Sequence, residues 1–326
     1  MCGVIHIKRV DGIDARSHVL ARYESQKDRG QQGYGFVALN KGVVVAYERS
    51  ETEEEIKAKL EAVSADEIFF HHRFPTSTPN FAEAAHPIKV SNDKLKYDYY
   101  VIHNGIIMDD EEYKPKHEAE GFKYTTEMTG GWYVGGVVKG ATTKWNDSEA
   151  LAIELALDLE DKCNGVNLTG SIAFIVLQVD KTTQKAIKLY WGRNNGSPLI
   201  FHGLENHFMS ISSEGYGDTC KPHMLFSFDY ATGRGDEKAY QVGWHGRDDY
   251  KYEDEDGYPV VAQPYTDMGD EYYILIENAE ELKDEIASMK LRNEEVDDLE
   301  AELKICEDRI LNLEAEYDEE QFAHYA

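Results

Sequence analysis

The chain begins Met1-Cys2-Gly3-Val4, and the cysteine at the second position is the feature that most constrains the fold. If Met1 is removed after synthesis, the thiol of Cys2 lies beside a free α-amine whose unperturbed pKa is about 8. Such an amine can act as a general base for the thiol, as in the N-terminal-nucleophile enzymes. A fold that uses this nucleophile is expected to place Cys2 at the edge of a sheet. Taken alone, a cysteine at this position is usually a chance occurrence, so the rest of the sequence has to support the interpretation.

The composition is typical of a globular protein and argues against two kinds of partner. The 326 residues include 62 acidic and 34 basic side chains, which gives a formal net charge of −28. Such a field repels phosphate groups, so we expect no nucleic acid and no anionic membrane as partner. The sequence has no apolar stretch long enough to span a membrane and no signal-peptide pattern, which predicts a cytoplasmic protein.

The cysteines are widely scattered along the chain. They are Cys2, Cys163, Cys220 and Cys306, and no two of them form a C-x-x-C pair. This spacing argues against a zinc site and against a disulfide framework, and it suits a reducing compartment. We therefore expect no metal and no cofactor.

The pattern of apolar residues divides the chain into three regions. Residues 1–220 alternate between strands and amphipathic helices, which predicts an α+β domain built on antiparallel sheets. Within it, a strand is predicted to stop in a turn at Asn104-Gly105, and the Gly-rich segment 129–146 is predicted as a hairpin or surface insertion. Residues 221–277 are an acidic, Tyr-rich extension that the pattern does not assign.

The third region, residues 278–326, is predicted as a helical tail. Apolar residues recur in steps of three and four over residues 278–317, which indicates one long helix. Two consecutive steps of three around Val296 break a strict heptad, and Asn293 takes an otherwise apolar seam position. The pattern fits a coiled coil with a local slip or a helical hairpin, and it fits equally an amphipathic helix that packs on its own domain.

Three segments carry the groups that amide chemistry at a cysteine requires. The oxyanion of a tetrahedral intermediate needs donors, and Asn104-Gly105 offers a side-chain amide beside a backbone N–H. Arg73, at the end of an apolar strand, can bind a substrate carboxylate through two parallel hydrogen bonds. Asp147 can bind a substrate ammonium group. Each also has a simpler interpretation, namely a turn, a structural ion pair and a helix N-cap, respectively.

Together with the second-position cysteine, these segments resemble the class II glutamine amidotransferase domain, whose nucleophile is an N-terminal cysteine. The matching segments follow the family's order over roughly residues 2–215, and they read MCGV, RGQQGYG, HHRFPTST with AHPI, IHNGII, DSEA, GSIAF, GRNNGSPLIF and FMSISSEG. The segment around Arg73 is most similar to that of glutamate synthases. GSPL and HNGII are more similar to the amidotransferase half of glucosamine-6-phosphate synthase.

The resemblance implies a four-layer αββα fold of the N-terminal-nucleophile (Ntn) hydrolase type and hydrolysis of L-glutamine to glutamate and ammonia. It implies that Cys2 attacks the side-chain amide and that Asn104 and Gly105 hold the oxyanion. The other implied residues are Arg73 and Thr76 at the glutamine carboxylate, Asp147 at its ammonium group, His86 lining the site, and Arg29 and Gly30 in a supporting loop. Three histidines are interpreted as strand residues with no metal to bind: His71, His72 and His103.

The sequence departs from the family pattern in several places. Gln32 stands where an aspartate is common, and Thr78 stands where several members have glycine. The segment 129–146 precedes Asp147 as an insertion would, which weakens the transfer of the family's role to Asp147. Residues 216–326 are too few and too acidic to be an acceptor domain of the usual size.

The sequence therefore predicts a stand-alone glutaminase subunit that acts through a Cys2 glutamyl thioester and passes ammonia to a separate synthetase, ligase or aminotransferase. Residues 278–317 would serve in docking or in homo-oligomerisation. Two alternatives stay open, an N-terminal-cysteine hydrolase of another amide and a catalytically inactive amidotransferase-like scaffold. The chemical state of the N-terminus separates the scaffold from an enzyme, because Met1 left in place blocks the α-amine.

Overall fold

The structure is a computed structural model of the chain, and it describes residues 2–9, 13–74, 81–134, 137–203, 208–215, 217–244, 251–253, 259–261 and 303–304. The chain divides into two units, Met1–Val261 and Ala262–Ala326. In the second unit Leu303 and Lys304 are helical, and the remainder of the coiled coil predicted for 278–317 lies outside the described residues. The first unit runs past residue 220 and includes strands from the acidic extension.

Helices and strands of the first unit follow one another along the chain. The α-helices are α1 (Arg16–Ser25), α2 (Glu53–Glu61), α3 (Asp110–Ala119) and α4 (Ser148–Asp158), and two 3-10 helices span Lys27–Arg29 and Ala82–Ala84. The strands are β1 (Gly3–Arg9), β2 (Tyr34–Asn40), β3 (Val43–Ser50), β4 (Glu67–His72), β5 (Ile88–Val90), β6 (Tyr97–Ile107), β7 (Met128–Val134), β8 (Val137–Lys144), β9 (Val166–Asp180), β10 (Ala186–Arg193), β11 (Ile200–His202), β12 (Phe208–Ser212), β13 (Asp218–Thr219), β14 (Met224–Asp229), β15 (Arg234–Ala239), β16 (Val242–Trp244), β17 (Lys251–Glu253) and β18 (Pro259–Val261). None of the helices in the described part of the chain is long and apolar enough to cross a membrane.

Most of the strands form two seven-stranded sheets. The order in the first sheet is β13-β11-β12-β1-β4-β2-β3, and the order in the second is β15-β14-β10-β9-β6-β5, with β16 parallel to β9. The other pairs in both sheets are antiparallel, as the sequence predicts. The hairpin predicted for 129–146 is confirmed as the pair β7 and β8.

The buried apolar side chains form three clusters, because successive side chains of a strand point to opposite faces of its sheet. One cluster fills the space between the two sheets, with members such as Val4, Phe69, Ile102 and Ile175. A second packs the other face of the first sheet against α1 and α2, with members such as Ile5, Val19 and Ile56. A third packs the outer face of the second sheet against α4, with members such as Val101, Leu151 and Leu155. The layers are therefore helix, sheet, sheet and helix, the four-layer α+β arrangement that was predicted.

Strand β6 passes through Asn104-Gly105, so the turn predicted there is wrong. Gly105 has φ +147, a conformation that residues with a side chain rarely adopt, and it pairs with Ile172 of β9 in unbroken register. A Cβ at this position would lie 1.7 Å from the carbonyl oxygen of Ser171. The glycine lets two strands approach closely instead of ending one of them.

Candidate active site

Cys2 lies at the end of a central strand. It directly precedes β1, which pairs with β12 on one side and β4 on the other, so the expectation of a sheet edge is wrong. The side chain is half-buried, and its Sγ accepts a hydrogen bond from the Phe74 N–H at 3.4 Å. The next residue has to be small, because a Cβ on Gly3 would lie 1.8 Å from Nε2 of His72.

Opposing effects act on the protonation of Cys2. Burial raises the pKa of the thiol, and the charge of Asp147 adds to the rise, while the Phe74 N–H, the Arg73 guanidinium and the charged amino terminus lower it. The net pKa shift is upward, so the resting side chain is a thiol at neutral pH. A nucleophile in this state needs a base within reach, and the α-amine of a chain without Met1 provides one.

Arg73 is a buried cation whose charge acts on the Cys2 thiol. It follows β4 and is 3% exposed, and burial lowers its pKa, while Cys2 when ionised and the Asp147 carboxylate oppose that change. Its backbone is held on both sides, since its N–H donates to Gly33 at 2.8 Å and its carbonyl accepts from the Gln32 N–H at 2.9 Å. The loop that contains Gln32 thus keeps its backbone contact with Arg73 whatever the side chain at position 32.

Arg29 and Gly30 contact the backbone of the site. Nε of Arg29 donates to the carbonyl oxygen of Cys2 at 3.0 Å, and its Nη1 forms an ion pair with Glu214. A Cβ on Gly30 would lie 2.5 Å from the carbonyl carbon of Arg73, so glycine is needed for the loop to pack there. Sequence reasoning missed Glu214, although it lies in the quoted segment FMSISSEG next to the strand that pairs with β1.

Asn104 presents an amide N–H without a partner. Its side chain is 1% exposed, and its Nδ2 has no hydrogen-bond partner among the described residues. Because side chains alternate along β6 and Ile102 belongs to the cluster between the sheets, Asn104 faces the same space as Val4 of β1. Strands β1 and β6 contact each other across that space. A buried donor without a partner is rare in native proteins, and it suits a group that a ligand satisfies.

Asp147 occupies the N-cap position of α4 without capping the helix through its side chain. Its Oδ2 instead accepts a hydrogen bond from the backbone N–H of Ile107 in β6 at 2.7 Å. The N-cap interpretation is therefore wrong for the side chain, which reaches across to the neighbouring strand. Its charge acts on both Cys2 and Arg73, so the structure brings these three predicted residues into one electrostatic neighbourhood.

His86 lies in a buried polar network. Its Nδ1 is 3.0 Å from Nε2 of His71 and 3.5 Å from the backbone nitrogen of His103, and its Nε2 is 3.4 Å from Nδ2 of Asn146. Thr76, the other residue predicted to bind the substrate, lies outside the described residues, and so does Thr78.

The layered sandwich of two antiparallel sheets between helices is the fold of the class II glutamine amidotransferases. No protein-family model matches the sequence, and no curated protein matches it. One similar solved structure is the glutamine phosphoribosylpyrophosphate (PRPP) amidotransferase from B. subtilis in complex with ADP and GMP, at 17% identity and a TM-score of 0.52 over 86% of this chain and 58% of that one. Another, described as the allosteric regulatory enzyme of purine biosynthesis, has 16% identity and a TM-score of 0.53 over 85% of this chain and 58% of that one. The chain thus spans somewhat more than half the length of these two proteins.

Proposed function

We propose that this chain hydrolyses L-glutamine to glutamate and ammonia with Cys2 as the nucleophile. The observation that carries the proposal is the buried amide N–H of Asn104, which has no partner among the described residues and faces the space between the sheets. Amide hydrolysis generates an oxyanion, and an unpaired donor held ready in a buried site is what stabilises it. The half-buried thiol at the end of β1 supplies the attacking atom.

In the proposed reaction, the α-amine of Cys2 takes the thiol proton, and the sulfur attacks the side-chain amide carbon of glutamine. A C–S bond forms, and the resulting oxyanion accepts hydrogen bonds from Asn104 Nδ2 and the Gly105 N–H. The C–N bond then breaks, and the leaving nitrogen takes the proton from the ammonium and departs as ammonia. Water attacks the glutamyl thioester and gives a proton to the sulfur, and glutamate leaves with the thiol restored.

The charges beside the thiol favour an amino acid over another amide as substrate. A glutamine zwitterion carries one carboxylate and one ammonium group, which match the Arg73 guanidinium and the Asp147 carboxylate. The charges of both groups act on Cys2, so both lie near the thiol. A glutamine whose carboxylate and ammonium groups are bound by them would therefore hold its side-chain amide at the thiol. We propose Thr76 as a further contact to the substrate carboxylate.

We further propose that the ammonia passes to a separate synthetase or ligase. The chain covers 58% of each of the two similar solved structures, and the first of them is by its description an amidotransferase that acts on PRPP. Residues 278–317 are proposed to dock the partner or to form a homo-oligomer.

The test combines N-terminal analysis with assays of Cys2 variants. Intact mass is expected to show loss of Met1, and the purified protein is expected to release glutamate and ammonia in equal amounts. Cys2→Ala is expected to release neither, because no thioester can form. Cys163→Ala is the matched control, since the Cys163 thiol contacts the carbonyl oxygens of Glu154 and Gly165 in the outer helix layer.

A thioester has a second signature. Hydroxylamine is expected to intercept it and to give γ-glutamyl hydroxamate with the wild-type protein and none with Cys2→Ala. Equal glutamate release by the wild type and Cys2→Ala would contradict the mechanism. A mature protein that keeps Met1 and releases no glutamate would favour the inactive scaffold.

A further inference from the structure

Three buried histidine rings form a chain of contacts that the proposed chemistry does not use. The ring centroids of His71 and His86 are 4.2 Å apart, and those of His86 and His103 are 6.4 Å apart. All three side chains are at most 2% exposed. The shortest contact joins Nδ1 of His86 to Nε2 of His71 at 3.0 Å. The sequence predicts His71 and His103 as ordinary strand histidines and His86 as a residue that lines the site.

The first and last of the three histidines lie in strands that lead to site residues. His71 stands in β4, two residues before Arg73, and His103 stands in β6 directly before Asn104. His86 precedes β5, and its ring contacts His71 in β4 and the backbone of His103 in β6.

The third attachment is to the start of α4, on both sides of Asp147. Nε2 of His86 lies 3.4 Å from Nδ2 of Asn146, and Nδ1 of His103 lies 2.8 Å from the hydroxyl of Ser148. The carboxylate of Asp147 itself is bonded back to β6 through Ile107. One network therefore links the three backbone segments that carry Arg73, Asn104 and Asp147.

We propose that His86 is a positioning residue that sets the end of β4, the middle of β6 and the start of α4 at fixed distances from one another. In this arrangement Arg73, Asn104 and Asp147 face a single substrate. The inference rests on the proposed glutaminase reaction for the identity of that substrate. In this proposal His86 contacts the segments that carry the site residues, and it does not contact the glutamine.

The surroundings of His86 require a neutral ring. Its Nδ1 lies 3.0 Å from Nε2 of His71 and 3.5 Å from the backbone nitrogen of His103, and its Nε2 faces the amide of Asn146. The orientation of that amide is fixed, because its Nδ2 donates to Ala84 at 2.7 Å and its Oδ1 accepts from the Ser148 N–H at 3.0 Å. A proton on Nε2 would place one N–H donor against another, so the ring carries its single proton on Nδ1, from which it can donate to Nε2 of His71.

The electrostatic field at His86 has the same effect. Burial lowers its pKa well below the ordinary value, and His103, Arg73 and Arg49 add to the lowering. Burial also lowers the pKa of His71 well below its ordinary value, and it lowers the pKa of His103. The contact chain therefore consists of neutral rings at neutral pH. Among the described residues, no group of three histidine, cysteine, aspartate or glutamate side chains is placed to hold a metal ion.

The experiment compares His86→Ala with a matched control elsewhere in the fold. His117 is buried to the same extent, and it bonds to Glu154 and Tyr124 in the layer of α3 and α4. His86→Ala is expected to lower kcat/KM for glutamine about ten- to a hundredfold, because a displacement of about 1 Å in a site has effects of this size. His117→Ala is expected to lose stability and to keep kcat/KM. His86→Gln, which retains a donor and an acceptor, is expected to recover part of the loss.

Reactivity of the nucleophile serves as an internal check. The backbone of Cys2 is held by Arg29 and its thiol by Phe74, so iodoacetamide is expected to alkylate Cys2 at a rate within about twofold of wild type in His86→Ala. A purely structural collapse of the site would change this rate together with kcat/KM.

Hydrogen exchange tests the positioning without any substrate. Amides of residues 103–107 and 146–150 are expected to exchange faster in His86→Ala and at the wild-type rate in His117→Ala. Unchanged exchange in both segments, or equal kinetic losses in the two variants, would overturn the proposal. If the wild type does not hydrolyse glutamine and the exchange pattern is still as expected, the positioning role stands and the proposed function fails.

Discussion

At the scale of single residues, the site contrasts two buried asparagines. Asn146 uses its amide fully, with bonds to Ala84, Ser148 and the ring of His86. Asn104 is as deeply buried, and its Nδ2 has no partner among the described residues. Burying an unpaired donor costs about 1–3 kcal/mol, so the first asparagine stabilises the fold and the second lowers its stability. A protein keeps such a group where a bound ligand uses it.

Alanine at these two positions is therefore expected to give opposite results. Asn104→Ala should lower kcat about a hundred- to a thousandfold with little change in KM, because the lost donor acts in the transition state. Its free energy of unfolding should not fall. Asn146→Ala should lower the free energy of unfolding by about 1–3 kcal/mol. Steady-state kinetics and urea unfolding measure both effects, and an Asn104→Ala enzyme with wild-type kcat would remove the oxyanion assignment.

At the scale of elements, strand β6 depends on one glycine. The strand delivers Asn104 to the space between the sheets and continues to Ile107, whose N–H holds Asp147. Both functions require the strand to remain paired with β9 through Gly105, where the two backbones approach too closely for a side chain.

Gly105→Ala is expected to separate these strands. The added Cβ would meet the backbone oxygen of Ser171, which belongs to the neighbouring strand and cannot rotate away. We expect a loss of more than about 3 kcal/mol in the free energy of unfolding, or failure to fold. Gly42→Ala is the control, because Gly42 also has a positive φ, +72, with nothing within 4 Å of a Cβ, and about 1–2 kcal/mol is expected there. Similar losses in the two variants would contradict the close-approach explanation.

The same strand shows how far sequence reasoning reaches. Apolar patterns predict β1, β4 and α2, because the two strands bury side chains on both faces of the first sheet and α2 buries one face against it. Asn104-Gly105 has the local chemistry of a turn, and only its pairing with a strand some seventy residues further along keeps it extended. Local signals cannot reveal such a partner.

The same limit of local sequence signals applies to the residues around the site. The motifs identify Cys2, Arg73 and Asn104, since their types and order are carried by short segments. Glu214 is missed because the arginine it pairs with lies 185 residues earlier in the chain. His86 is found, but its contacts to two other strands cannot be read from its own neighbours in sequence.

At the scale of the whole molecule, buried neutral histidines make stability depend on pH. Burial lowers the pKa of His72 to about 4 and lowers those of His71 and His86 well below the ordinary value. In the unfolded chain all three return to about 6.5. Between about pH 6.5 and pH 4 the unfolded chain therefore binds protons that the folded protein does not, and stability falls as the pH falls.

Urea unfolding at pH 7, 6 and 5 is expected to show this decrease. Each histidine contributes a slope of up to about 1.4 kcal/mol per pH unit, and His72 alone accounts for roughly 3 kcal/mol by pH 4. The charged groups around His72 are Arg29, which lowers its pKa, and Glu214 and Glu53, which raise it less than burial lowers it. His72→Gln should flatten the slope by one histidine's share. Stability that stays constant or rises from pH 7 to pH 5 would contradict this account.

The position of β1 between β4 and β12 has a consequence for the timing of synthesis. The Val4 N–H donates a hydrogen bond to the Ser213 hydroxyl, 209 residues further along the chain. Strand β1 therefore cannot complete its pairing in the central sheet until this distant segment has been made. Pairings this distant are slow to form because the loop between them must close first. Throughout the translation of that loop the amino terminus lacks its final neighbour. Cys2 therefore cannot reach its final surroundings beside the completed sheet until synthesis has passed Ser213.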